Sequence, residues 1–269
     1  MTLRLLADDL TGALDSAAWF VPVVGAIPVV WRDYDIPANA AIDSGTRDAY
    51  AQETIERVAP LLAQGEPAFK KIDSLLRGHA ALEIAACARY FDRTVIAPAF
   101  PAQGRITRGG RQLAFLDGEW RDVGVTLPVM RDAESDADLD AIVAEERAKG
   151  GRVLWCGTGG LAAALAGRRP VPRPTLPKPL LALIGSPHPV SRAQIAAAPR
   201  DRVVTHIESP PEAGTLIVSG GATLRALCDK LGATHLALDG QLEPGVPTSV
   251  LRGGARDGQL RVQIRRVRR

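Results

Sequence analysis

The sequence predicts an α/β fold of two domains, each a mainly parallel sheet flanked by helices, with a ligand site in the cleft between them. Short β-branched or leucine-rich runs alternate with alanine-rich segments of helical period, the pattern of parallel strands joined by helices. The 269 residues, 46% hydrophobic and 23% charged, are enough for one large or two modest folded units. The stretch "GRRPVPRPTLPKP", residues 167–179, carries five prolines in thirteen positions and cannot be regular helix or central strand. It reads as a semi-rigid linker between a first domain, 1–170, and a smaller second one, 178–269.

In chain order, the first strand is Leu3–Ala7 and the first helix Gly12–Phe20. Strand Ile27–Trp31 and helix Arg47–Ala63 follow, then strand Ala68–Ile72 and helix Gly78–Tyr90. Strand Thr94–Pro98 leads into a polar loop, helix Asp136–Ala148, strand Arg152–Cys156 and helix Gly160–Ala166. Beyond the linker come strand Leu180–Ile184, helix Val190–Ala197, strands Val203–Ile207 and Thr215–Ser219, and helix Ala222–Leu231.

Composition narrows the function classes. The net charge of +3 is small, and much of the surplus lies in the terminal "RVQIRRVRR", which reads as a solvated end rather than a nucleic-acid patch. Cys87, Cys156 and Cys228 form no CxxC pair, and the four histidines show no HxxxH or HExxH spacing, so no metal site is expected. The most apolar window, "WFVPVVGAIPVVW", is 13 residues long and broken by Pro22 and Pro28, too short to span a bilayer. The start lacks the pattern of a signal peptide. A cytoplasmic protein with a small anionic partner is expected, with neither nucleic acid nor membrane; a homodimer is left open.

The turns after the strands carry the chemistry. In an open parallel sheet, ligands gather beyond the carboxyl ends of the strands. "LLADDLTGALDSA" puts two adjacent carboxylates, Asp8 and Asp9, between the first strand and its helix. One could cap the helix. A repelling pair is better suited to holding hydroxyls, a cation or a proton to be abstracted. "FKKIDSLLRGH" crowds Lys71, Asp73, Ser74 and Arg77 into another such turn, where cations can take a carboxylate and Asp73 can accept from hydroxyls. "APAFPAQGRITRGGRQL" reads as a proline-stiffened, glycine-opened loop offering Gln103 and Arg105, and "DSGTRDA" places Arg47 at a helix start. Together these turns describe a site for a small, anionic, hydroxyl-rich molecule. The second domain offers glycine turns suited to phosphate, in "LALIGSPHPVS", "TLIVSGGATLRALC" and "EPGVPTSVLRGG". Neither a dinucleotide fingerprint nor a P-loop is present, which leaves a nicotinamide enzyme with little support.

The motifs "ADDLTGALD", "KKIDSLLRGH", "APAFPAQGRIT", "GSPHPVS", "SGGATLRALC" and "EPGVP" occur in the order found in the four-carbon acid sugar kinase family, once known only as a domain of unknown function. The resemblance spans about residues 4–254. It implies a substrate domain followed by a nucleotide domain, with ATP and Mg²⁺ used to phosphorylate acids such as threonate, erythronate or 3-oxo-tetronate. Carried over by motif, Asp9, Arg47, Lys71, Asp73 and Ser74 would contact the acid. Ser186, Gly220, Gly221, Ala222, Thr223 and Gly245 would contact ATP. One carboxylate of Asp8, Asp9 and Asp73 would act as base, and Lys71, Arg77 or Arg105 would hold the acid group, with Gln103 beside them. The chain departs from the family pattern where Ala222 replaces an acidic residue, where "LRVQIRRVRR" replaces a KSGGFG-like element, and where the stretch before "TLIVSGG" is shortened. The alternative these departures suggest is a kinase-derived protein that binds sugar acids with weak or lost use of ATP.

Overall fold

A computed structural model describes residues 3–31, 36–65, 68–185, 193, 196–197, 203–204 and 213–264. At its centre lies β1 (Arg4–Ala7), flanked by β3 (Ala40–Asp43) on one side and β4 (Phe69–Lys71) on the other. Beyond β3 lies β2 (Ile27–Val30); beyond β4 lie β9 (Val153–Gly157) and then β5 (Arg93–Ala97), and all six strands run parallel. β2 then pairs antiparallel with β13 (His235–Gln241), which carries the same sheet onward through β14 (Pro247–Arg252) and β15 (Arg261–Ile264). The far end is parallel again: β15, β12 (Thr215–Ser219), β10 (Leu180–Ile184) and β11 (Val203–Val204). The result is one continuous 12-stranded, mainly parallel sheet. The two sheets expected for the two halves are thus fused, and the β2–β13 ladder is the seam.

Strand alternation explains the two cores. Leu5 and Ala7 point to the face covered by α1 (Leu10–Ala17), the short α2 (Val21–Val24), α6 (Gly159–Leu165) and α5 (Asp136–Ala148); Leu6, between them, packs on the other face with Ile42, Val58 and Ile84 beneath α3 (Ala51–Ala63) and α4 (Ala80–Ala88). Every residue of α6 is buried, and its run of Gly, Ala and Leu lets it lie close to α1. α7 (Gly221–Lys230) buries Leu224, Leu227 and Cys228. No helix among the described residues is long and apolar enough to cross a membrane.

Several segments depart from the sequence reading. The polar loop after β5 contains a separate antiparallel sheet, β6 (Arg105–Arg108), β7 (Arg111–Leu116) and β8 (Glu119–Asp122); Gly109 and Gly110, both at positive φ, close its first hairpin. The glycine- and proline-rich "EPGVPTSVLRGG" supplies strand β14, and "RVQI" at the head of the basic tail is an interior strand rather than a solvated end. Alternating apolar residues, Val262 and Ile264 among them, outweigh the arginines there. Residues 265–269, like most of the expected helix Val190–Ala197, lie outside the described residues. The proline-rich stretch does not hang free: the Pro172 carbonyl accepts from Gln241 N, and the Pro177 carbonyl from Thr215 Oγ1.

Candidate functional site

β1 sits between β3 and β4, so the chain reverses its direction of progress across the sheet there, and in open α/β sheets ligands bind beyond the strand ends at such a reversal. The residues that follow those three ends form a single charged cluster. Asp8 is buried and receives the fork of Arg47, with Nη2 2.8 Å from Oδ1 and Nε 3.0 Å from Oδ2. Asp9 caps α1: its Oδ1 accepts from Gly12 N and its Oδ2 from the Thr11 hydroxyl, both at 2.7 Å, and Oδ2 also pairs with Arg47 Nη1. The doublet is therefore tolerated because one guanidinium lies between its members and also approaches Asp73, at 3.7 Å. Gly12 is there for room. A Cβ would sit 2.5 Å from Asp9 Oδ1 and 3.1 Å from Lys71 Nζ.

Asp73 is fully buried and takes both Nε and Nη2 of Arg77 at 2.8 Å. Burial alone would raise its pKa, but hydrogen bonding to Arg77 and the charges of Arg47 and Lys71 hold it far below the ordinary carboxylate range. Asp8 is likewise held low, with Arg47, Lys70 and Lys71 outweighing the effect of burial. Lys71 donates to the Ile72 carbonyl at 2.7 Å, and burial pushes its pKa down. Lys70, on the opposite face of β4, meets Glu83 Oε2 at 2.7 Å; Glu83 also accepts from Thr46, whose hydroxyl lies 2.7 Å from that of Ser44. This buried chain ties β4, α4 and the Arg47 loop together.

The remaining expected residues separate into those at the cluster and those around it. Ser74 is buried, with its carbonyl held by Gln112 Nε2 of β7 at 3.0 Å. Arg105 donates from Nη1 to the carbonyls of Gln103 and Gly104, so it braces its own turn. The Gln103 amide faces the other half of the molecule: a Cβ on Gly245 would lie 2.8 Å from Gln103 Nε2 and 3.4 Å from Asp15 Oδ1. Gly220, at φ +108°, caps α7, and a Cβ on Gly221 would lie 3.0 Å from Thr11 Oγ1 and 3.9 Å from Asp9 Oδ2. Thr11 and Asp15 are four residues apart on α1 and so share a face. The Gly-Gly turn and the Gly245 loop therefore both abut the face of α1 that starts at the acidic doublet. Thr223 packs on Gly185, Ala222 is exposed in the first turn of α7, and Ser186 lies outside the described residues.

Two participants lie in motifs quoted above, "DSGTRDA" and "SGGATLRALC", but nothing in either motif singles them out. Asp43 ends a four-residue strand, "AAID", too short and alanine-rich to be read as one, and Arg225 lies mid-helix in α7. Asp43 Oδ2 takes Arg225 Nη1 at 3.1 Å, joining the halves. Among the described residues no group of three or more His, Cys, Asp or Glu side chains is placed to hold a metal ion. The start of α7 suits a phosphate better: its first N–H groups have no helical partners, and the missing Cβ of Gly221 leaves them open beside Thr11.

Residues 3–127 match the family described as the sugar-binding N-terminal domain. A D-threonate kinase of Cupriavidus necator is 32% identical over an alignment covering 75% of this chain and 64% of that protein. Another, from Bordetella bronchiseptica, is 28% identical over 72% of the chain and 62% of that protein. The chain thus spans somewhat under two thirds of the length of these relatives. Among solved structures, a Salmonella typhimurium LT2 protein, provisionally described as a tRNA synthase, superposes with a TM-score of 0.66 at 17% identity, covering 99% of this chain and 96% of that one. A Haemophilus influenzae protein of a domain-of-unknown-function family gives 0.58 at 17% identity, covering 98% and 96%. At such identities these two likenesses speak for the fold alone.

Proposed function

Because the chain belongs to the four-carbon acid sugar kinase family, we propose that it transfers the γ-phosphoryl group of ATP to a hydroxyl of a four-carbon sugar acid of the threonate, erythronate or 3-oxo-tetronate type. Residues 1–170 would bind the acid and 178–269 the nucleotide. The observation that carries this reading is the approach of Gly221, at the start of α7, to Thr11 and Asp9: a phosphate on the glycine turn would lie next to an acceptor hydroxyl on the acidic doublet.

Bound ATP and Mg²⁺ would supply the phosphoryl group and neutralise part of its charge, with the Gly220–Thr223 turn as the backbone cradle and Gly245 closing it. The chain's own residues divide the rest. Arg77, with 42% of its side chain exposed, and Lys71 are the cations for the acid's carboxylate. Asp8 and Asp73 are held ionised by their arginines and make poor proton acceptors. Asp9 also pairs with Arg47, but at 21% it is the most exposed of the three and the one a substrate hydroxyl can reach, so it would orient that hydroxyl and take its proton. Arg47 keeps the three carboxylates in register.

The test is purified protein with Mg·ATP and each of D-threonate, D-erythronate and 3-oxo-tetronate, reading ADP release and the phosphorylated acid by mass spectrometry. Product from at least one acid is expected. Binding of an acid without product from any of them would overturn the kinase reading and favour the sugar-acid-binding alternative, which Ala222 motivates.

A further inference from the structure

We infer that Arg225 and Asp43 are positioning residues that set the Arg47 guanidinium of the acid site in register with the Gly220–Thr223 turn of the nucleotide site, so that filling one site tightens the other. The inference rests on the proposed function for its two ligands, though its geometry does not.

Asp43 has two oxygens with two different duties. Oδ1 accepts from Gly45 N at 2.8 Å, closing the turn that launches Arg47; Oδ2 accepts from Arg225 Nη1 at 3.1 Å. The turn continues into Thr46 N and Arg47 N, which donate to the Asp8 carbonyl at 3.0 and 3.1 Å, and into the Arg47 side chain gripping Asp8 and Asp9. On the other side Arg225 is itself fixed. Its Nη2 donates to the Trp31 carbonyl at 2.9 Å, and its guanidinium lies 5.6 Å from the centroid of the Trp31 ring. Trp31 directly follows β2, the strand that carries the seam. α7 therefore meets the carboxylate cluster twice, at its N-terminus through Gly221 beside Thr11 and Asp9, and one turn later through Arg225 on Asp43. Both contacts run to Arg47. A shift of α7 on binding phosphate cannot leave that guanidinium unmoved, and by linkage the effect is reciprocal. Arg57 also holds the turn, donating to the Gly45 carbonyl at 2.6 Å, but from α3 in the same half; it fixes the turn without joining the halves.

The test uses Arg225→Met and, in case that variant folds poorly, Asp43→Asn, which keeps an acceptor for Gly45 N while removing the charge opposite Arg225. In ligand-free protein the amides of Gly45, Thr46 and Arg47 should exchange with deuterium about tenfold faster in either variant, with the amides of β1 and β9 unchanged; unchanged exchange at 45–47 overturns the inference. Calorimetry then reads coupling with D-threonate and a Mg·ATP analogue that cannot transfer phosphate. In the unmodified chain each ligand should tighten the other by about tenfold, and that factor should fall to about one in Arg225→Met. Arg225→Lys should keep part of it. Full coupling in Arg225→Met overturns the inference. A chain that binds neither ligand would overturn the proposed function instead, and hydrogen exchange would still decide the link.

Discussion

The two halves of the candidate site would hold their proposed anions in opposite ways. The half built on β1, β3 and β4 uses side-chain charges already locked to one another, with Asp8, Asp9 and Asp73 around Arg47. The half built on α7 and the Gly245 loop uses backbone, opened by glycines whose absent side chains leave space beside Thr11, Asp15 and Gln103. The first arrangement is preformed and internally strong; altering one member leaves a buried charge. The second is sensitive to volume and indifferent to charge. Mutations should separate the two along that line.

The largest effect is expected from Arg47→Met. Its removal leaves Asp8 buried without its fork, and unpairing a buried ion of this kind costs about 3–5 kcal/mol. That corresponds to roughly 10 °C in Tm for a chain of this size, together with loss of sugar-acid binding. Arg47→Lys should recover part of the stability and little of the binding, since an ammonium cannot span Asp8 and Asp9 as the fork does. Differential scanning calorimetry and titration of D-threonate measure both. An Arg47→Met protein that melts with the unmodified chain would show that the cluster is not the interlocked unit described.

Asp43 gives a comparison by pH. Its pKa is raised to about 7, first by burial and then by Asp9 and Asp8, against the Gly45 N–H and Arg225, which lower it. In the unfolded chain an aspartate titrates near 3.9, so between about pH 4 and 7 the folded protein keeps a proton that the unfolded chain has lost. Stability from this group is therefore greatest below pH 4, declines as pH rises to 7 and is level above. Asp43→Asn removes that slope: its stability relative to the unmodified chain should climb by a few kcal/mol from pH 4 to 7 and then stop. Parallel curves for the two proteins over that window would contradict the raised pKa.

What the sequence disclosed follows the same division. Charges that meet within a few residues of a strand end, such as Asp8, Asp9, Lys71, Asp73 and Arg77, were legible because a strand-to-helix turn has one place to put them. The alternation of strands and helices was legible for the parallel portions, where apolar runs are continuous. The hairpin sheet at 105–122 and the strands β13–β15 were obscured by the glycines, prolines and arginines that mark their turns and edges, and of these strands only β15, with Val262 and Ile264, shows an alternating apolar pattern. The Asp43–Arg225 pair spans 182 positions, and the pairing of β2 with β13 and the packing of α7 beside α1 bring its members together. No local pattern encodes such a contact.

The smallest predicted effect addresses the glycine half. In Gly221→Ala the new methyl would stand 3.0 Å from Thr11 Oγ1, closer than carbon and oxygen normally sit, so Thr11 or the start of α7 must give by a few tenths of an ångström. Gly221 lies in the first turn of a helix and carries no positive φ, so the substitution itself costs the backbone little. Affinity for Mg·ATP should fall by about tenfold, near 1.4 kcal/mol, with Tm nearly unchanged. Thr11→Ala removes the opposing hydroxyl, and the double variant should regain most of the lost nucleotide affinity, because the clash and not the glycine's own flexibility is at fault. Sugar-acid affinity should respond to Thr11→Ala, which frees one Asp9 oxygen of a hydrogen bond, and not to Gly221→Ala. If the double variant is as weak as Gly221→Ala alone, the two halves do not meet at Thr11, and the side-chain site and the backbone site must be regarded as separate.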